Sequence, residues 1–297
     1  MPKINLEGIF VPHITPFDGK GEVDWEALRD LVEFWIKGEL AGLIPCGSNG
    51  EAPHLLREER KRVIEIVVDA ANGRVPVIAG TGAISTKETI QLTRDAEDVG
   101  ADAALVVTPF YFKYSMKEFY AHYSAVIEAV DIPIILYNVP KFTGLSMQPE
   151  LVHKLVNEYS NIIGIKDSSG SLSQISELIK LVGEKIAVLA GTADVVLPTL
   201  MLGGRGAVMA VANVDPKLCS SLYKAFKNGK FEEAVKLQRK ISYLNEVLVK
   251  RYSQLSAIKE ALNLKGLPAG YPRKPALPLE NPEKEKIKEL LSEIESC

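Results

Sequence analysis

The sequence has 297 residues, of which 46% are hydrophobic and 25% charged, and a formal net charge of −3. That is ordinary globular composition. No Lys/Arg-rich run offers a footprint for nucleic acid or an anionic membrane surface, and no apolar run approaches the ~20 residues that span a bilayer.

The opening segment, MPKINLEGIF, lacks the basic stretch followed by a long apolar one that marks a signal peptide. The three cysteines, Cys46, Cys219 and Cys297, are odd in number and widely spaced. They argue against a disulfide framework and for a reducing compartment. The expectation is a soluble, cytoplasmic protein.

From there the chain alternates short apolar runs with helical segments. The runs are 8–17, 42–47, 76–82, 103–110, 133–140, 162–169, 186–192 and 206–213. Each is nearly continuous in apolar character, as parallel strands covered on both faces are. The segment DWEALRDLVEFWIKG places Trp25, Leu28, Leu31, Val32, Trp35 and Ile36 on one helical face, behind Asp24 as N-cap. EERKRVIEIVVDAA, KETIQLTRDAEDVG and LSQISELIKLVG show the same period. Gly42, Gly100 and Gly183 read as helix stops ahead of the next strand.

Eight such strand–helix units predict a (β/α)₈ TIM barrel over residues 1–224. The rival is a doubly wound sheet, which wants a glycine-rich dinucleotide turn. GTGAIS (80–85) lacks its third glycine. After that the strands stop. FEEAVKLQRKISYLNEVLVKRY, SAIKEALNL and KEKIKELLSEIE predict a C-terminal helical extension over 225–297, with the proline-rich PAGYPRKPALPLENP between the last two.

Barrel active sites lie at the C-terminal ends of the strands. There the sequence places Gly47-Ser48-Asn49-Gly50-Glu51, Thr108-Pro109-Phe110-Tyr111, Tyr137-Asn138-Val139-Pro140 and Lys166-Asp167-Ser168-Ser169-Gly170. Lysine is rarely buried unless something pairs with it or uses it, and Lys166 follows an isoleucine-rich run directly. A desolvated lysine gives up its proton more readily and can attack a ketone carbon. A phenol beside it can move protons, and a glycine-flanked Ser-Asn turn can aim N–H groups at a carboxylate. Together these residues point to Schiff-base chemistry.

Other groups read as structural. Glu51 suits a helix start, and Asp167 and Asn213 suit loop anchors. Cys46 lies in a buried run and reads as inert. His13, His54, His122 and His153 show no metal-ligand spacing, so no catalytic metal is expected.

The motifs GSNGE (47–51), TPFY (108–111), YNVP (137–140) and GIKDSSG (164–170), with AGTAD (190–194) and AVAN (210–213), occur in that order. In this set the chain resembles the dihydrodipicolinate synthase/N-acetylneuraminate lyase family of pyruvate-dependent class I aldolases, over almost its whole length. The resemblance implies that Lys166 forms the imine with a 2-keto acid. It makes Tyr137 the general acid/base and Ser48 its proton relay. Tyr111 becomes the tyrosine supplied to a neighbouring subunit's site. It assigns the keto-acid carboxylate to Ser48 and Asn49, with Gly50 and Ser168 beside them and the Val208 carbonyl bordering the imine. It further implies a homotetramer built as a dimer of dimers. The substrates are a small 2-keto acid and an aldehyde, with no cofactor beyond the covalent imine.

Departures bear on the aldehyde. Synthases of the family carry an arginine two residues past the proline of the YNVP-type motif; here the position is Phe142. Their Thr-Thr pair is Ser48-Asn49, and the asparagine of lysine-inhibited members is Ile84. A carboxylate losing a buried charged partner costs roughly 2–5 kcal/mol. The GSNGE form resembles 4-hydroxy-2-oxoglutarate and 2-keto-3-deoxy-sugar-acid aldolases. The leading expectation is therefore a lyase that cleaves or forms 4-hydroxy-2-keto acids. The alternative is dihydrodipicolinate synthase acting on pyruvate and aspartate semialdehyde, with Lys141 serving the carboxylate. A non-catalytic keto-acid sensor ranks last, because Lys166, Tyr137 and Ser48 are all present.

Overall fold

The structure is a computed structural model that describes residues 4–296. Cys297 and the first three residues of the N-terminal segment lie outside the described residues. All eight apolar runs contain a strand: β1 (Gly8–Val11), β2 (Gly42–Leu43), β3 (Ile78–Gly80), β4 (Ala103–Val107), β5 (Ile134–Asn138), β6 (Ile162–Asp167), β7 (Ala187–Ala190) and β8 (Gly206–Val208). They are parallel, in the order β2-β1-β8-β7-β6-β5-β4-β3. A Leu43–Val77 bridge and a 2.9 Å bond from Gly80 N–H to Pro45 O join β2 to β3 and close the ring. The fold is a (β/α)₈ TIM barrel, each strand followed by a helix.

Two-residue periodicity explains why the runs are apolar throughout. Ile134 and Leu136 of β5 point outward and pack with Phe119, Tyr123, Val152 and Leu155 of the surrounding helices. Ile135 and Tyr137 point into the barrel with Phe10, Ile78, Leu105, Leu189 and Val208.

Local expectations needed adjustment in four places. The predicted strand 42–47 is a regular strand only over Gly42–Leu43, and Cys46 turns into the left-handed region at φ 54°. Gly80 permits that turn, since a Cβ there would lie 2.1 Å from Cys46 O. The helix Trp25–Lys37 is capped by Asp24, which accepts from Ala27 N–H at 3.0 Å, but it ends at Gly38 and not at Gly42, which belongs to β2. Trp25 at its start stands partly exposed, while Leu28, Leu31, Val32 and Trp35 are buried. The predicted helix 231–252 is α-helical only over Phe231–Asn245, and Glu246–Arg251 is a π-helical turn.

The helix after β8, Pro216–Lys227, spans position 224/225. Beyond it, Phe231–Asn245, Gln254–Leu264 and Asn281–Ser296 form the helical extension. Ile241, Leu244, Leu248, Ala257 and Ile258 bury themselves in the same core as Val11 and Met209 of the barrel. Among the described residues no helix is long and apolar enough to cross a membrane.

Candidate active site

Lys166 sits near the end of β6, directly opposite Tyr137 of β5 in the parallel register. It is 4% exposed. Its Nζ lies 4.0 Å from the centroid of the Tyr137 ring, a cation–π contact inside the barrel mouth. The Ser48 hydroxyl approaches Tyr137 Oη at 3.5 Å, the outer edge of hydrogen-bond range. Burial pushes the Tyr137 phenol upward, but the Lys166 charge and the Ser48 hydrogen bond outweigh it, so the phenol is held below the usual tyrosine value. Such a phenol gives up and retakes a proton more easily than a free tyrosine.

These groups line a cavity of about 320 Å³ shared with Asn49, Ser168 and Val208. Gly191 makes room for Ser168: a Cβ at that glycine would lie 2.0 Å from Ser168 Oγ. The Ser48–Glu51 turn is closed by Glu51 N–H to Ser48 O at 3.2 Å and Ala52 N–H to Gly47 O at 3.3 Å. Among the described residues, the N–H groups of Ser48, Asn49 and Gly50 have no backbone acceptor. Unpaired N–H groups on one turn form an anion cradle.

A larger chamber of about 590 Å³ adjoins the first and shares Ser48, Tyr137, Lys141 and Phe142 with it. Phe142 stands 52% exposed at the mouth. The neighbouring Lys141 Nζ lies 5.2 Å from its ring centroid. That ammonium makes only long 3.4 Å contacts to Val249 O and Gln254 Oε1 and has no carboxylate partner among the described residues.

Tyr111 is not brought to this site. It lies 83% exposed, at φ 82°, edge-on to Phe112, and lines neither chamber. Asp167 accepts from Asn138 Nδ2 and Gln174 Nε2, both at 2.7 Å, and so anchors the loop after β6. Asn213 donates to Pro12 O and accepts from Ile14 N–H, tying the turn after β8 to the loop after β1. Burial pushes the Cys46 thiol up to about 12, which keeps it unreactive. Among the described residues no group of three or more His, Cys, Asp or Glu side chains is arranged to hold a metal.

The extension supplies side chains that sequence reasoning missed. Val249, Lys250 and Gln254 line both chambers, and Gln254 Nε2 donates to Asn49 Oδ1. Lys250 pairs with Asp194 at 2.7 Å. The π-helical turn that aims Val249 and Lys250 at the mouth is a feature often found at functional sites.

The chain matches the description "Dihydrodipicolinate synthetase family" over residues 5–294. The chain belongs to this family. A 4-hydroxy-tetrahydrodipicolinate synthase of Methanothrix thermoacetophila is 41% identical over 290 residues, 97% of each chain. One of Geotalea daltonii is 43% identical over 288 residues, 97% of this chain and 98% of the other. Among solved structures, dihydrodipicolinate synthase from Aquifex aeolicus superposes with a TM-score of 0.94 at 36% identity, covering 98% of each chain. An E. coli K12 prophage protein of the same family, solved in complex with pyruvate, gives 0.94 at 34% identity, covering 98% of this chain and 99% of that one. The family makes the chain an enzyme, a lyase of the class I aldolase type. The relatives' names favour the synthase over the 4-hydroxy-2-keto acid aldolase expected first from the sequence.

Proposed function

We propose that the protein takes pyruvate as an imine on Lys166 and condenses it with aspartate semialdehyde, acting as a 4-hydroxy-tetrahydrodipicolinate synthase. The observation that carries the imine is the register pair: Lys166, buried, faces Tyr137 across one strand spacing, with Ser48 beside the phenol. The choice of aldehyde is supported by relatives of about 40% identity along nearly the whole chain.

In the proposed sequence, the keto-acid carboxylate rests on the Ser48–Asn49–Gly50 turn. Lys166 Nζ attacks C2 of pyruvate. Tyr137 donates its proton to the departing hydroxyl, so water leaves as the imine forms. The Tyr137 phenolate so formed takes a methyl proton to give the enamine. The enamine carbon attacks the aldehyde carbon while the phenol returns that proton to the aldehyde oxygen, and hydrolysis or cyclisation then frees the lysine. The Tyr137 phenol, lowered by the neighbouring cation, suits repeated proton exchange. No metal or further cofactor takes part in this scheme. Tyr111, exposed on the monomer beside Phe112, is placed by the scheme in a neighbouring subunit's site within a homotetramer.

One observation favours a second partner. Phe142 presents an apolar ring at the mouth, and an apolar ring makes no charge-assisted hydrogen bond to a carboxylate. An uncharged hydroxyaldehyde, giving a 4-hydroxy-2-keto acid, would suit it. The first reading requires Lys141 to supply the cation instead. Initial rates with pyruvate and either aspartate semialdehyde or glyceraldehyde separate the two. Faster turnover of aspartate semialdehyde supports the synthase, and the reverse supports the aldolase.

A further inference from the structure

Glu51 closes the turn that carries Ser48, Asn49 and Gly50, in the left-handed region at φ 54°. Its carboxylate is 1% exposed, and so is the ammonium that meets it, Lys259 of the Gln254–Leu264 helix. Lys259 Nζ donates to Glu51 Oε1 at 2.6 Å and to Tyr271 O at 2.7 Å, and it lies 4.3 Å from the Phe17 ring centroid. The second Glu51 oxygen accepts from Arg273 N–H at 3.0 Å and meets His54 Nδ1 at 3.0 Å. One residue earlier, Thr15 Oγ1 donates to Gly50 O at 2.8 Å, and Gln254 Nε2 donates to Asn49. Three of these tethers come from residues more than 200 positions along the chain, all on the extension.

A buried ion pair is a weak source of net stability, since desolvation offsets the attraction. Its geometry is nevertheless fixed, because each charge is costly to leave without the other. Here the fixed geometry is applied to the turn whose Ser48 and Asn49 line the keto-acid cavity and whose Ser48, Asn49 and Gly50 N–H groups meet no backbone acceptor among the described residues. We propose that Lys259, acting through Glu51, is a positioning residue: the C-terminal helical extension holds the Ser48–Asn49–Gly50 turn in the orientation that receives the keto-acid carboxylate. The inference rests on the reading that this turn binds pyruvate. The second end of the strap is Arg273, whose guanidinium donates twice to Glu59 at 2.7 Å, away from the turn.

The test compares three variants of the full chain by KM for pyruvate, kcat and Tm. Lys259→Met strands the Glu51 charge and is expected to lower Tm and raise KM at least about tenfold, with kcat at saturating pyruvate within about threefold. Glu51→Gln combined with Lys259→Met removes the stranded charge. It is expected to recover most of the Tm while KM stays high, because the tether remains absent. Glu59→Gln, which weakens the outer pair and the Glu59 hydrogen bond from Leu56 N–H but leaves Lys259–Glu51 in place, is expected to lower Tm and leave KM unchanged. If Lys259→Met does not fold, the double variant carries the test. A KM in the double variant within twofold of the parent overturns the inference and assigns the pair to stability alone. Borohydride trapping of pyruvate on the parent protein separates this failure from failure of the underlying reading. A trapped adduct with unchanged KM defeats only the positioning role, and no adduct defeats the pyruvate site itself.

Discussion

Removing the Lys141 charge is expected to weaken the use of aspartate semialdehyde and to leave uncharged aldehydes alone. In Lys141→Met most of the apolar stem is kept, so the change removes chiefly the ammonium. Beside its 5.2 Å approach to the Phe142 ring centroid, that group makes two long 3.4 Å contacts to Val249 O and Gln254 Oε1 and no ion pair among the described residues, so it can turn to a ligand without breaking one. A hydrogen bond to a charged group contributes about 1.5–3 kcal/mol where it is buried. At this open mouth the lower end applies, because exposed charges are screened. About 1.4 kcal/mol corresponds to a tenfold change. The assay is kcat/KM at fixed saturating pyruvate for aspartate semialdehyde and for glyceraldehyde, on parent and variant. The account expects roughly a tenfold fall for aspartate semialdehyde and less than a twofold change for glyceraldehyde. Phe142→Arg, by adding a second cation at the mouth, is expected to raise kcat/KM for aspartate semialdehyde. Equal losses for both aldehydes, or none, would refute the carboxylate role of Lys141. A parent enzyme that already prefers glyceraldehyde would move the assignment to the 4-hydroxy-2-keto acid aldolases.

Tyr137→Phe is expected to cut kcat by about a hundredfold or more, as loss of a general acid does, while near-native Tm shows that the barrel is intact. Tyr111→Phe is expected to lower kcat by roughly tenfold without changing oligomer size by sedimentation; a monomeric variant with full activity would contradict the shared site. Burial holds His13 and His122 down at about 4, against 6.5 for a free histidine. Their folded values lie below the unfolded one, so stability is full above pH 6.5 and is lost as pH falls towards 4, by about 3 kcal/mol per histidine at about 1.4 kcal/mol per pH unit. Thermal melts between pH 7 and 4.5 check this, and His122→Gln is expected to flatten part of the fall.

The barrel was legible because each strand is a local apolar run and each helix a local period, and both signals survive in a single chain. The end of β6 was legible for the same reason: Lys166 terminates an isoleucine-rich run, and a cation there has few structural explanations. Where short-range patterns compete, the sequence was less informative. Gly38 and Gly42 both suit a helix end, and only packing decides: a Cβ at Gly42 would lie 2.7 Å from the Phe10 ring. The contribution of the extension to the site was invisible for a different reason. Gln254 and Lys259 lie in an ordinary amphipathic helix, and their partners Asn49 and Glu51 are 205 and 208 residues away. Nothing local to either segment signals that contact. The sequence read Glu51 as a structural residue at a helix start, and it does stand at the N-cap of the short 3₁₀ turn Ala52–His54, but its side chain caps nothing there and is spent on Lys259, His54 and Arg273.

The central claim, a pyruvate imine on Lys166, is tested most directly by incubating the protein with pyruvate and borohydride and mapping the product by peptide mass spectrometry. The account predicts one reduced pyruvyl adduct, on Lys166 and abolished in Lys166→Ala, with the same yield in the presence of a chelator. An adduct on Lys141, Lys250 or Lys259, or inactivation without any adduct, would contradict it.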